Sequence, residues 1–315
     1  MEDEYRSMLA PRFTGIPTFM RTPYTRDASQ LDIALIGVPY DGATENRPGA
    51  RHGPREIRNA SSMMRSIHHV TKINPYSLCR VGDVGDVPME SMFDVEATHR
   101  DITAFYQKIT DAGALPLSAG GDHSISLPIL RAIATDGPVG LIQIDAHLDT
   151  FDEEMGSKFS HGTPFRRAVE EGLLDPKRVV QIGIRGAVND EAAWDYSAQS
   201  GMRVIFIEEF VDLGVEGVAT EVHRIVGKDP IYLSFDIDGL DPAYAPGTGT
   251  PEIGGMTSLE AQMLMRRFRG LNLIGADVVE VSPPFDTAGQ TALVGATLMY
   301  EILCMMVEGL NSRKK

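Results

Sequence analysis

Three short motifs gather histidine and aspartate at close spacing: Gly120-Gly121-Asp122-His123-Ser124, Asp145-Ala146-His147-Leu148-Asp149 and Asp236-Ile237-Asp238. Residues two apart in an extended segment project to one side. That spacing predicts a shared side for Asp145, His147 and Asp149, and likewise for Asp236 and Asp238. Two imidazoles and four carboxylates, with no thiolate, suit Mn²⁺, and imidazole also admits Ni²⁺, Fe²⁺ or Zn²⁺. The set suffices for two ions if some carboxylates bridge. Two ions about 3.5–4 Å apart hold a hydroxide between them and lower its pKa. The expected site is a dinuclear divalent-metal centre in a hydrolase, with His123, Asp145, His147, Asp149, Asp236 and Asp238 as ligands. A lone Asp-x-Asp is often a turn or cap, and a lone His in a Gly-rich loop is often structural. Three such motifs after buried apolar runs are harder to explain so, because unpaired buried charge is costly. Asp122 and Asp241 read as capping or supporting groups.

The elements that must position these residues are legible as apolar runs. Residues 31–38, 114–118, 139–145, 178–184, 202–207, 230–236 and 272–280 read as strands, with 79–85 a weaker candidate. The runs are continuous rather than alternating, as for strands covered on both faces. Amphipathic helices are predicted over Val95–Ala112, Ser124–Ala134, Pro164–Leu173, Val218–Val226 and Ser258–Phe268, with a strongly apolar one near Leu293–Glu308 that should pack on the core. Strand–helix alternation predicts an α/β fold, a three-layer α/β/α sandwich around a largely parallel eight-stranded sheet. Ligands of such sheets bind beyond the carboxyl ends of the strands. His123, Asp145, Asp236 and Glu280 all fall at strand ends.

No linker divides the chain, so residues 1–315 are expected to form one domain, with 1–30 an irregular arm. The Gly- and Pro-rich segment Asp41–Gly53 follows the first strand and reads as an active-site loop. The formal charge of −15 argues against nucleic acid. No apolar run looks long enough to span a bilayer, and the acidic N-terminus lacks a signal-peptide layout. Two cysteines, Cys79 and Cys304, make no disulfide framework and point to a reducing, cytoplasmic setting.

The same residues carry a resemblance. GGDHS, DAHxD and DxDxLDPAxAPGTGTP, with the run GVPYDGATENRPGARHGP, resemble the ureohydrolases: arginase, agmatinase and related guanidino-compound hydrolases. The likeness covers nearly the whole chain and leans toward agmatinases, guanidinobutyrases and guanidinopropionases. It implies an arginase-like fold, two Mn²⁺ (Ni²⁺ as the alternative) and cleavage of a small guanidino compound to an amine and urea by a metal-bridging hydroxide. It also implies Asp145 and Asp236 as bridging carboxylates, His123 and Asp149 completing one ion, and His147 and Asp238 the other. His161, in SHGTPF, matches a proton-shuttling histidine, and Glu280 matches the acid that holds the guanidinium. A homo-oligomer, trimer or hexamer, is implied, with a paralogous subunit as a further option.

The substrate tail is where the pattern departs. Position 148 is usually small or hydroxylated in that family, and an Asn often follows Asp149-Thr150; here they are Leu148 and Phe151. An apolar pair suits an alkyl tail, or methylated guanidines and biguanides. Asp152, Glu153 and Glu154 instead suit a distal ammonium, as in agmatine. Asn46, Arg47 and Arg51 approach the same crest, where an arginine suits the carboxylate of a guanidino acid such as guanidinobutanoate or guanidinopropionate; either arginine could equally pair Asp83 or Asp86. Trp194 and Tyr196 fall in a connection after the strand 178–184. Two other classes compete. A non-catalytic partner subunit would be expected to have lost ligands. A metal-dependent deacetylase needs a His pair by its metal, and His68-His69 lies away from the crest strands.

Overall fold

The computed structural model describes residues 10–188 and 192–313. One sheet holds β1 (Ile33–Val38), β2 (Val81–Asp86), β3 (Leu115–Gly120), β4 (Val139–Ile144), β5 (Leu174–Ile184), β6 (Arg203–Phe206), β7 (Ile231–Asp236) and β8 (Leu273–Val279). Its order is β2-β1-β3-β8-β7-β4-β5-β6, and every neighbouring pair is parallel. Parallel neighbours need crossover connections. Helices supply them: α1 (Gly53–Ser61), α2 (Pro75–Leu78), α3 (Val95–Asp111), α4 (Ser126–Ile133), α5 (Pro164–Glu170), α6 (Ala192–Ser200), α7 (Ile207–Val226) and α8 (Ser258–Arg267), while α9 (Gln290–Arg313) follows the last strand.

Consecutive strand residues feed opposite faces. Leu35, Ile142, Val180 and Leu233 pack in one core with Ile57 of α1, Val218 of α7, Leu264 of α8 and Leu303 of α9. Their neighbours Ile36, Leu141, Val179 and Tyr232 pack in a second core with Ile102 of α3, Ile129 of α4 and Phe165 of α5. Two apolar faces per strand explain the unbroken hydrophobic runs and give the three-layer α/β/α architecture.

Several boundaries differ from the sequence reading. The weak run is the edge strand β2. β5 starts at Leu174, which pairs with Val139 ahead of a register irregularity. α7 starts at Ile207 rather than Val218 and kinks at Gly214, whose φ of 63° breaks the helical periodicity. α1 was hidden by the Gly-Pro at its start, although proline fits a first helical turn. Trp194 and Tyr196 lie on α6, with Tyr196 stacked on Arg166. The stretch Gln290–Ser312 is, contrary to expectation, long and apolar enough to cross a membrane, but 72% of its apolar window is buried inside the fold. It serves here as the core helix the sequence also suggested.

Candidate metal centre

At the carboxyl crest of the central strands, the turns after β3, β4 and β7 bring the histidine and aspartate motifs together. After β3, Asp122 caps the short 3-10 turn His123–Ile125 by accepting from Ser124 N–H. Glycine is required before it, since a β-carbon at 121 would lie 2.3 Å from the Tyr40 carbonyl oxygen. After β4, the chain does not stay extended as the spacing argument assumed. Asp149 takes a left-handed φ of 54°, which costs a non-glycine residue free energy and turns its carboxylate inward. After β7, Asp236 caps the 3-10 turn Ile237–Gly239 by accepting from Asp238 N–H. The shared orientation of Asp236 and Asp238 thus comes from a turn, not from strand alternation.

His123 Nδ1 lies 3.2 Å from Asp145 Oδ2, 2.8 Å from Asp149 Oδ2 and 3.2 Å from Asp236 Oδ2. His147 Nδ1 lies 3.2 Å from Asp238 Oδ2 and 3.6 Å from Asp145 Oδ1. Two groups with ligand atoms close enough to share one ion result: His123, Asp145 and Asp149, and Asp145, His147 and Asp238. Asp145 belongs to both. Asp236 faces the first through Oδ2, while its Oδ1 accepts from Asp238 N–H.

The electrostatics favour cations. Four aspartates bury their carboxylates here, and among the described residues no lysine or arginine forms a salt bridge with them. Burial, then Asp145, push the Asp149 carboxyl up to about 6; burial, Asp238 and Asp145 push Asp236 well above the usual range. Burial opposes charge on His123 and His147, but the surrounding aspartates outweigh it and hold both imidazoles well above their ordinary value. His123 Nδ1 is also buried without a well-directed hydrogen bond. Protons are a poor substitute in such a cage. Two divalent ions would balance four carboxylates, and the oxygen-and-imidazole donor set fits Mn²⁺-type ions.

Glu280 closes the site from the end of β8, at a left-handed φ of 62°. Its Oε1 accepts from His123 N–H at 2.8 Å and faces His161 Nδ1 at 3.1 Å. Burial opposes charge on His161, but Glu280 overrides it and lifts the imidazole to about 10. Glu280 Oε2 faces Gly249, where a β-carbon would lie 3.8 Å away.

The tail residues divide. Leu148 is buried in neither apolar core, and its carbonyl accepts from Gln181. Phe151 packs on Gly162, beside His161. Arg51 pairs with the buried Asp41; Asp83 and Asp86 are taken by Arg58 instead. Asn46 is exposed, and its carbonyl lies near Gly249. Arg47 lies over the Phe285 ring at 4.1 Å. Asp152 pairs with Arg166 and Arg167. His68 is buried against Glu301, a structural pairing away from the crest. Asp241 accepts from the N–H groups of Ala243, Gly254 and Gly255, as a loop cap.

Residues outside the motifs support the candidate ligands. Gln143 Nε2 donates to Asp145 Oδ2 at 2.7 Å and to the His147 carbonyl at 3.1 Å. Gln181 in turn donates to Gln143 and to the Leu148 carbonyl. Arg185 donates to the carbonyls of Gly183, Asp238, Gly239, Leu240 and Glu252, tying down the loop that carries Asp238. The available signal for the glutamines was a polar residue inside an otherwise apolar strand.

The arginase-family model matches residues 31–305. The chain belongs to the arginase family. It is 60% identical over 299 residues to the guanidinopropionase of Pseudomonas aeruginosa, covering 95% of this chain and 94% of that one. It is 49% identical to the mitochondrial agmatinase of Gallus gallus, covering 94% and 87%. Among solved structures, the proclavaminate amidinohydrolase of Streptomyces clavuligerus superposes with a TM-score of 0.92 at 39% identity, over 95% of this chain and all of that one. The all-parallel eight-stranded sheet is thus the arginase-family fold, and the crest site lies in a family that works with paired metal ions.

Proposed function

We propose that the protein is a dinuclear-metal amidinohydrolase that converts a guanidino acid, foremost 3-guanidinopropanoate, to urea and an amino acid. The observation that carries this reading is Glu280 beside the His/Asp cage. Its Oε1 is occupied by His123 N–H and His161, while Oε2 faces a position without a side chain. A planar guanidinium suits a carboxylate oxygen by charge-assisted hydrogen bonding, and Oε2 is the one proposed to receive it. The 60% identity to a guanidinopropionase supports the acid. His123, Asp145, His147, Asp149, Asp236 and Asp238 are the proposed ligands, Mn²⁺ the proposed metal and Ni²⁺ the alternative.

When bound, a pair of divalent ions supplies Lewis acidity and a water nucleophile at neutral pH. Glu280 fixes the guanidinium plane over the cage. His161, kept protonated by Glu280, delivers the proton that the leaving amine needs. Arg47 has no carboxylate partner among the described residues and is the cation proposed to meet the substrate carboxylate; the charge of Arg51 is already matched by Asp41.

A second substrate, agmatine, is favoured by Glu154. Its Oε2 is enclosed and has no hydrogen-bond partner, and it lies beside Gly162, next to His161. A distal ammonium would satisfy it. One urea-release screen separates these readings: 3-guanidinopropanoate, 4-guanidinobutanoate, agmatine, methylguanidine and a biguanide, each with Mn²⁺ and with Ni²⁺. Guanidino acids should lead, and His123→Ala and Asp236→Ala should abolish turnover. A higher kcat/KM for agmatine would favour the Glu154 reading, and one for methylguanidine or the biguanide would favour an apolar tail site at Leu148 and Phe151. Full activity in either variant would sink the ligand assignment.

A further inference from the structure

Asp277 is a carboxylate in the middle of β8, fully buried and outside every motif. It stands in register with Ser118 of β3 and Ser234 of β7. Its Oδ2 accepts from Ser126 and Tyr232 hydroxyls and its Oδ1 from the Ser234 hydroxyl, each at 2.6 Å. No arginine or lysine pairs with it among the described residues. A strand interior between two apolar layers is a costly place for a charge, and satisfying hydroxyls alone could be done by a neutral residue.

The chain of bonds continues to the site. Ser234 Oγ lies 2.7 Å from His123 Nε2. The Ser234 hydroxyl donates to Asp277 Oδ1, which leaves its oxygen to accept from His123 Nε2–H. That direction fixes the tautomer. With Nε2–H committed to Ser234, Nδ1 is the nitrogen left to bind an ion, and it is the atom that faces Asp145, Asp149 and Asp236 without a well-directed hydrogen bond.

We propose that the Asp277–Ser234 pair is a positioning device for the metal centre, orienting His123 and raising its donor strength toward the ion shared with Asp149. It is the carboxylate–histidine arrangement that tunes many metal sites, here extended by one hydroxyl. This rests on the ligand assignment given above. Ser126 is the internal control, because it bonds the same carboxylate but does not lie on the path to His123.

The test is titration calorimetry of ion-stripped protein with Mn²⁺ for wild type, Asp277→Asn, Ser234→Ala, Ser126→Ala and His123→Ala, with thermal melts of the ion-free forms. Asp277→Asn and Ser234→Ala should each weaken one of the two ions about 10- to 100-fold, and the double variant should be no weaker than the worse single. Ser126→Ala should lower the melting temperature while leaving both ion affinities near wild type. Equal ion binding in wild type, Asp277→Asn and Ser234→Ala would overturn the proposal, as would a loss in Ser126→Ala as large as in Ser234→Ala. If Asp277→Asn does not fold, the comparison of Ser234→Ala with Ser126→Ala decides alone. Two tight ions retained in His123→Ala would instead reject the ligand assignment itself.

Discussion

Stripping the divalent ions should cost the fold more as the pH rises. Without cations, protons must balance the buried aspartates. The Asp149 carboxyl moves from an ordinary 3.8 to about 6 on folding. A carboxyl raised in this way holds its proton better in the folded state, so stability is lost as pH climbs from the lower value through the higher. A shift of that size corresponds to on the order of 3 kcal/mol once the group ionises. His123 and His147 act in the same direction. Their folded values are raised, so the stability they contribute is complete below 6.5 and is lost as pH rises through those values. Asp145 is lowered, so its contribution is lost only on acidification below the ordinary carboxylate range. With ions present the sign reverses, because protons compete with metal for the same atoms.

The assay is thermal unfolding of chelated and Mn²⁺-loaded protein between pH 5.5 and 8.5. The gap in melting temperature should widen with pH. A cost near 3 kcal/mol corresponds to roughly 4–5 °C for a chain of this size. A gap that stayed constant or narrowed would show that the buried carboxylates are compensated by something other than ions, and the charge argument for the site would fail.

Two variants probe the supports. A β-carbon at 186 would lie 2.7 Å from His147 Cδ2, so Gly186→Ala should displace that ring and leave one tight ion per chain instead of two by metal analysis. Arg185→Met removes the donors to five loop carbonyls, and should destabilise by roughly 2–4 kcal/mol in chemical denaturation.

The sequence revealed most where the physics is local. Continuous apolar runs gave the strands of a two-sided sheet, and ligand-type residues at strand ends gave the crest. Helix starts were harder. α1 opens on Gly53-Pro54, which has the composition of a loop, and the first half of α7 is separated by Gly214 from the part with clear periodicity. Arg47 and Arg51 are the arginines the sequence offers for Asp83 or Asp86, and both aspartates are instead taken by Arg58. That choice is made by α1, which carries Arg58 to β2 while Arg51 remains beside Asp41.

The side chains expected to converge do converge, but not for the reason the spacing suggested. Period-two spacing suggested extended segments, whereas the carboxylates are aimed by turns and by left-handed backbone at Asp149 and Glu280. Non-glycine residues in that region store strain. Around the site, polar groups interrupt the apolar strands: Gln143 and Gln181 at Asp145 and Leu148, and Ser234 and Asp277 behind His123. Each of those polar residues weakens its strand as core material. Gln143, Gln181 and Ser234 are each bonded to a candidate ligand or to the backbone beside one, and Asp277 reaches His123 through Ser234. The interior polarity of β4, β5, β7 and β8 is therefore part of the site, and a buried polar residue within a predicted core strand is the sequence signal that leads from the ligands to what holds them.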